Sequence, residues 1–176
     1  MIAENINDLD TNNIIICDPI KNSVMQYSNF YKIVFSNKLI SLNGLYIVFD
    51  LKKVHHSRDK LVFNFADNKD AVDKIAHVEK YILNLISSSK NRIYKITELL
   101  TNGTIKYSYN DTQINIGNTN YSNYNSTTTN KSLILKISGL WETKENVGVT
   151  FKVILLENSI DLNMDNNKFN LSTRQC

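Results

Sequence analysis

The sequence predicts one mainly β domain with a single long helix inserted between its strands, an α+β architecture. Three observations carry this. Residues 133–137 and 147–153 alternate apolar and polar side chains on either side of a charged connection, the period of a strand with one buried face. Residues 30–35 and 45–51 are rich in aromatic and β-branched side chains. Residues 72–86 place apolar side chains at helical spacing. A chain of 176 residues can close one sizeable core around these elements.

The segment from Ser132 to Leu156 reads as a hairpin. Leu133, Leu135 and Ile137 share one face, and Val147, Val149, Phe151 and Val153 repeat the pattern after the polar connection Glu142–Asn146. Trp141, the single tryptophan, continues the alternation of Leu133, Leu135, Ile137 and Gly139, so it is expected in the core. Glu142 and Glu145 are expected as solvated charges of the turn.

From the beginning of the chain, residues 1–13 are polar, acidic and aperiodic, a flexible arm. Ile14–Cys17 is a brief strand stopped by Asp18-Pro19. A strand over Phe30–Phe35 and a turn at Ser36–Lys38 follow. Leu39–Leu51 is then read as one curved strand bent at Asn43-Gly44, because too few residues precede that dipeptide for a second hairpin. Lys52–Lys60 is a basic loop, and Leu61–Ala66 a strand. N-cap candidates over Asp67–Asp70 open the long helix, whose apolar face is Val72, Ile75, Ala76, Val78, Ile82, Leu85 and Ile86. Arg92–Leu100 fits a strand or a further helical turn, and the spacing of Ile93, Ile96, Leu99 and Leu100 leans helical. Alternation returns over residues 103–116. Residues 117–130 are low-complexity Asn, Ser and Thr, expected as a mobile loop within a domain spanning 14–165, with 166–176 as a tail. Three strands, a helix and two more strands is the order of an OB-like β-barrel; a β-sandwich with one inserted helix would read alike.

Composition narrows the function classes. The 26 Asn, 21 Ile and 17 Lys all have A- and T-rich codons, so the excess of Asn is a mutational bias rather than a structural demand. Cys17 and Cys176 are too far apart to build a metal site or a disulfide framework, and an intracellular location without a membrane span is expected. His55-His56 point to opposite faces of an extended chain and chelate poorly. The five glycines form no phosphate loop, and no serine sits in a nucleophile elbow. The expectation is a protein that is not an enzyme and that uses no cofactor or metal.

The net charge of +3 is unevenly spread. Residues 21–60 hold seven Lys or Arg against two acids, and residues 90–110 four against one. Such segments suit either a solvated Lys-rich surface or a polyanion-binding face. Aromatic residues interleave with them, and the combination is what sequence-tolerant binding of a single strand requires: cations along the backbone, ring faces for bases. The candidate nucleic-acid-binding residues are Lys32, Lys52, Lys53, Arg58, Lys60, Arg92, Lys95 and Lys106, with Tyr46, Tyr107 and Tyr109.

Two stretches, DPIKNSVMQYSNFYKIVFSNKLISLNGLYIVFDL and LILKISGLWETKENVGVTFKVI, resemble small single-stranded DNA-binding proteins of large nucleocytoplasmic DNA viruses, of the phage T7 type. The resemblance covers residues 18–51 and 133–154 and rests on their texture and the Gly-Leu-Trp-Glu turn. It implies an OB-fold and non-catalytic binding of single-stranded DNA or RNA in viral DNA replication, recombination or repair. It also implies replication proteins as partners, no membrane, and a place in the host cytoplasm, viral factory or virion. T7-type proteins end in an acidic tail, whereas this chain ends KFNLSTRQC, with Lys168 and Arg174. The competing expectation is a viral structural protein, a minor virion component acting by protein–protein contacts.

Overall fold

The computed structural model describes residues 2–109 and 129–156, and among them the chain is mainly β with two helices. The first strands are β1 (Glu4–Asn5), β2 (Ile14–Ile16), β3 (Ile20–Lys21), β4 (Asn29–Ser36) and β5 (Ser41–Asn43). Next come β6 (Leu45–Ser57), β7 (Lys60–Val62), helix α1 (Phe65–Asn84) and β8 (Asn91–Ile93). Helix α2 (Lys95–Thr101), β9 (Thr104–Lys106), β10 (Ser108–Tyr109), β11 (Thr129–Glu142) and β12 (Asn146–Leu155) complete the order.

The hairpin forms as its alternation predicts. β11 and β12 pair antiparallel from Leu133↔Leu155 to Glu142↔Val147. On its other edge β11 pairs with β6 from Thr129 to Ile137, then with β4 from Gly139 to Glu142. The long curved segment is also as read: Gly44, at φ +101°, is the bend between β5 and β6, and only glycine adopts that conformation freely. The main ladder runs β10-β12-β11-β6-β7-β9 and is not closed into a barrel by pairing. Its two end strands, β9 and β10, are nevertheless neighbours in the chain, separated only by Tyr107.

Leu45, Ile47, Phe49 and Leu51 of β6, Leu133, Leu135 and Ile137 of β11, and Val147, Val149, Val153 and Leu155 of β12 bury one face of the sheet. α1 packs against β6, β12 and α2, contributing Val72, Ile75, Val78, Ile82 and Leu83. Leu85, expected on this face, is 39% exposed; it is the C-cap residue just past the end of the helix at Asn84. The helix also starts earlier than expected. Asn64 is its N-cap, the side chain accepting the Ala66 N–H at 2.9 Å, and the expected strand over Leu61–Ala66 stops at Val62.

Three further expectations are corrected. The acidic N-terminal segment is not a flexible arm: β1 pairs parallel with β6, and Ile6 and Leu9 pack on the core. The basic loop at 52–60 is instead the second half of β6 folded on β7, with Arg58-Asp59 as the turn. It keeps pairing because a bulge absorbs the misfit: Leu51 faces Lys131, but Val54 faces Thr129. Buried Asn68 of α1 pins that bulge, accepting the Lys52 N–H at 2.6 Å and donating to the Lys52 carbonyl at 3.1 Å. Of the low-complexity loop at 117–130, Thr129 and Asn130 belong to β11, and the rest lies outside the described residues, as does the tail.

Trp141 is the third. The β11–β12 register slips between Ile137 and Gly139, and one extra residue moves every later side chain to the opposite face. Leu140 therefore enters the core, while Trp141 lies half-buried on the outer face against Gly148; a Cβ there would fall 2.4 Å from the indole Cζ2. Trp141→Ala is thus expected to cost about 1–2 kcal/mol in urea denaturation, below the roughly 3–5 kcal/mol of a fully buried aromatic. A loss in the upper range would place the indole in the core after all. Among the described residues no helix is long and apolar enough to cross a membrane.

Candidate nucleic-acid interface

The place where the ladder fails to close is a cleft. The edge of β12 away from β11 pairs with β8 at residues 146–148 and with β10 at residues 154–155. Between those two pairings, no described strand pairs with that edge. β9 diverges from it to join β7, and a cavity of about 560 Å3 opens in the gap.

Four lysines from four elements line this cleft: Lys60 from β7, Lys95 from the first position of α2, Lys106 from β9 and Lys152 from β12. Leu99, Ile105, Phe151 and Val153 contribute its apolar lining, and Tyr107 stands where β9 passes into β10. Two of the lysines carry a carboxylate partner. Lys106 Nζ lies 3.0 Å from Asp59, and Lys95 Nζ lies 2.9 Å from Glu98. The Lys106 hydrogen bond holds the Asp59 carboxyl below its ordinary pKa. Both pairs are exposed and worth little, so an incoming anion can compete for the ammonium groups. Lys60 and Lys152 form no ion pair among the described residues.

Tyr107 is held edge-on to His56, ring centroids 5.7 Å apart at 80°, with its hydroxyl 3.1 Å from His56 Nδ1. Burial, and then the charge of Lys131, push the His56 pKa below its usual value. The imidazole is therefore neutral at pH 7 and can accept the phenolic proton. His55 faces the other way and is exposed.

Of the residues singled out in the sequence, the fold thus brings Lys60, Lys95, Lys106 and Tyr107 together. The remainder, Tyr109 apart, stand outside the cleft. Lys32 is exposed on β4, and Lys52 and Lys53 are exposed at the bulge, with Lys53 Nζ 3.1 Å from Asp67. Arg58 is exposed in the β6–β7 turn. Arg92 is half-buried, its Nε donating to the Leu83 carbonyl at 3.3 Å near the end of α1. Tyr46 lies half-buried on the outer face of β6 under the Lys136 ammonium, 4.9 Å from the ring centroid. The backbone of Tyr109 pairs with Leu155.

Sequence reasoning missed Lys152, Phe151 and Leu99. Their local patterns are those of an ordinary strand and an ordinary helix, and only the pairing of β9 and β10 with different partners makes them line an opening. The site offers cations around an apolar floor with one anchored aromatic ring, which suits a ligand of phosphates and flat bases. No protein-family model matches this chain, and neither the curated proteins nor the solved structures include one similar to it.

Proposed function

We propose that the protein binds single-stranded nucleic acid without catalysing its conversion, and that its strands form an OB-like barrel left open along the cleft between β9 and β12. The observation that supports this best is the convergence of Lys60, Lys95, Lys106 and Lys152 around Tyr107 in one cleft. A basic groove with a stacking ring is the minimum that holds a single strand irrespective of sequence. The viral single-stranded DNA-binding proteins that the sequence resembles would use such a groove in replication, recombination or repair.

Fluorescence anisotropy of a labelled oligothymidylate, titrated at several salt concentrations, tests this. Each phosphate contact contributes about −0.7 to the log–log salt slope for a single strand. Replacing Lys60, Lys95 and Lys106 by Ala is expected to flatten the slope by about 2 units. Tyr107→Ala is expected to lose about 1–3 kcal/mol of affinity. Replacing Lys52, Lys53 and Arg58, which lie outside the cleft, is expected to leave the slope close to wild type. Equal effects of the two triple variants would mean diffuse charge rather than a site.

A second reading, a structural component acting by protein–protein contact, is favoured by one observation. The segment between β3 and β4 exposes Val24 at 89% and Tyr27 at 98%, close to the exposed Ile20 of β3. Failure of the wild-type protein to bind any single strand, together with self-association or assembly onto other subunits, would favour that reading.

A further inference from the structure

The outer face of the sheet carries an arrangement that folding alone does not explain. Lys136 of β11 and Lys152 of β12 are directly opposed in the antiparallel ladder. Tyr46 of β6 is opposite Lys136 on its other side, so Tyr46, Lys136 and Lys152 form one row across three strands. Like charges facing each other on neighbouring strands are destabilising. Among the described residues neither lysine has a carboxylate within ion-pair distance. Asp50, the acid of β6 on this face, lies two rows further along, beyond the apolar row Val48–Ile134–Ile154. In the free protein the Lys136 ammonium is instead held over the Tyr46 ring, where the π-face offsets part of its charge. The same Lys152 also lines the cleft between β9 and β12.

Two opposed lysines with no acid between them among the described residues are a site for a shared anion, and one of the two borders the cleft. We propose that Lys136 and Lys152 together hold a backbone phosphodiester of the strand as it leaves the cleft, so that bound nucleic acid crosses β12 and β11 towards Tyr46. This rests on the reading of the cleft as a single-strand site and extends it to a second position. The ligand is a polynucleotide long enough to reach from Tyr107 to the outer row. Its path runs across the strands rather than along them, and a short oligonucleotide fills the cleft alone.

The test is a Lys136→Gln/Lys152→Gln protein titrated with two labelled oligothymidylates, one of about 4 nucleotides and one of about 16. With the long oligonucleotide, affinity is expected to fall about tenfold and the salt slope to flatten by about 0.7, the loss of one phosphate contact. Affinity for the short one should be unchanged in a Lys136→Gln protein, because Lys136 lies outside the cleft, and should fall in the double variant only by what Lys152 contributes there. A Lys136→Arg/Lys152→Arg protein should restore the long-strand affinity. Removing the opposed charges should leave the thermal midpoint equal or higher, so a folding defect is not the expected cause of any loss. Wild-type binding of both lengths by the Gln variant, with the Lys60/Lys95/Lys106 variant weakened, would overturn the outer path while sparing the cleft. Wild-type binding by both variants, or no binding by the unaltered protein, would overturn the cleft reading and this one with it.

Discussion

Replacing Glu79 by Ala is expected to lower the stability of the protein by about 3 kcal/mol and to weaken strand binding as a consequence. Glu79 lies on α1 with no exposed surface, yet it is not an isolated buried charge. Its carboxylate accepts the Ile96 N–H at 3.0 Å, the Thr97 N–H at 2.8 Å and the Thr97 hydroxyl at 2.6 Å. The two N–H groups are orphan donors of the first turn of α2, a position where a helix needs an acceptor and favours negative charge. Tyr94, the N-cap residue of α2, supplies no side-chain cap, so a side chain from another helix does so. Removing it leaves buried N–H groups without acceptors. α2 carries Lys95 and Leu99 into the cleft, so the loss reaches the site. Glu79→Gln keeps one accepting oxygen and should cost roughly half as much. Urea denaturation measures both. A loss below about 1 kcal/mol for the Ala variant would show that packing alone seats α2.

Much of this fold was legible in the sequence, because period-two and helical periodicity are local. The hairpin, the bend at Gly44 and the long helix all follow from patterns within a few residues. What the sequence concealed depends on register. One bulge before Gly139 exchanges the faces of Leu140 and Trp141, and another at Lys52–Lys53 turns an apparent basic loop into a strand. No composition signal marks either, since the extra residues are an ordinary Ser or Lys. The candidate site was half legible for the same reason. Lys60, Lys95, Lys106 and Tyr107 stand out as basic and aromatic neighbours in sequence, but Lys152 and Lys136 acquire meaning only through the strands they face. Glu79 and Glu142 were hidden more completely: a carboxylate in a helix or beside a turn looks solvated until its hydrogen-bond partners are placed.

Glu142 is the second of those, and its removal to Ala is expected to cost about 3 kcal/mol. It ends β11, where a solvated turn charge is expected, but only 8% of it is exposed. Tyr31 donates to it at 2.8 Å and Asn29 at 3.5 Å from β4, Ser88 at 2.9 Å and Lys90 at 3.1 Å from the connection after α1. One carboxylate thereby ties the turn end of the hairpin to a neighbouring strand and to the loop that follows the helix. Burial by itself would raise its pKa, but the hydrogen bonds from Tyr31, Ser88, Lys90 and Asn29 outweigh burial and hold it below the usual value. Burial also raises the Tyr31 pKa, with the hydrogen bond to Glu142 and its charge adding to the effect, so the phenol stays protonated as its donor. A carboxyl whose pKa is lower folded than unfolded binds fewer protons in the native state. Its contribution is complete above the unfolded value of about 4.3 and is lost as pH falls through the lower folded value. Stability measured by urea denaturation should therefore fall between about pH 5 and pH 3 more steeply in the wild type than in Glu142→Gln, which has no proton to take up. Parallel pH profiles for the two proteins would mean that the carboxylate is as solvated as its place beside a turn suggests.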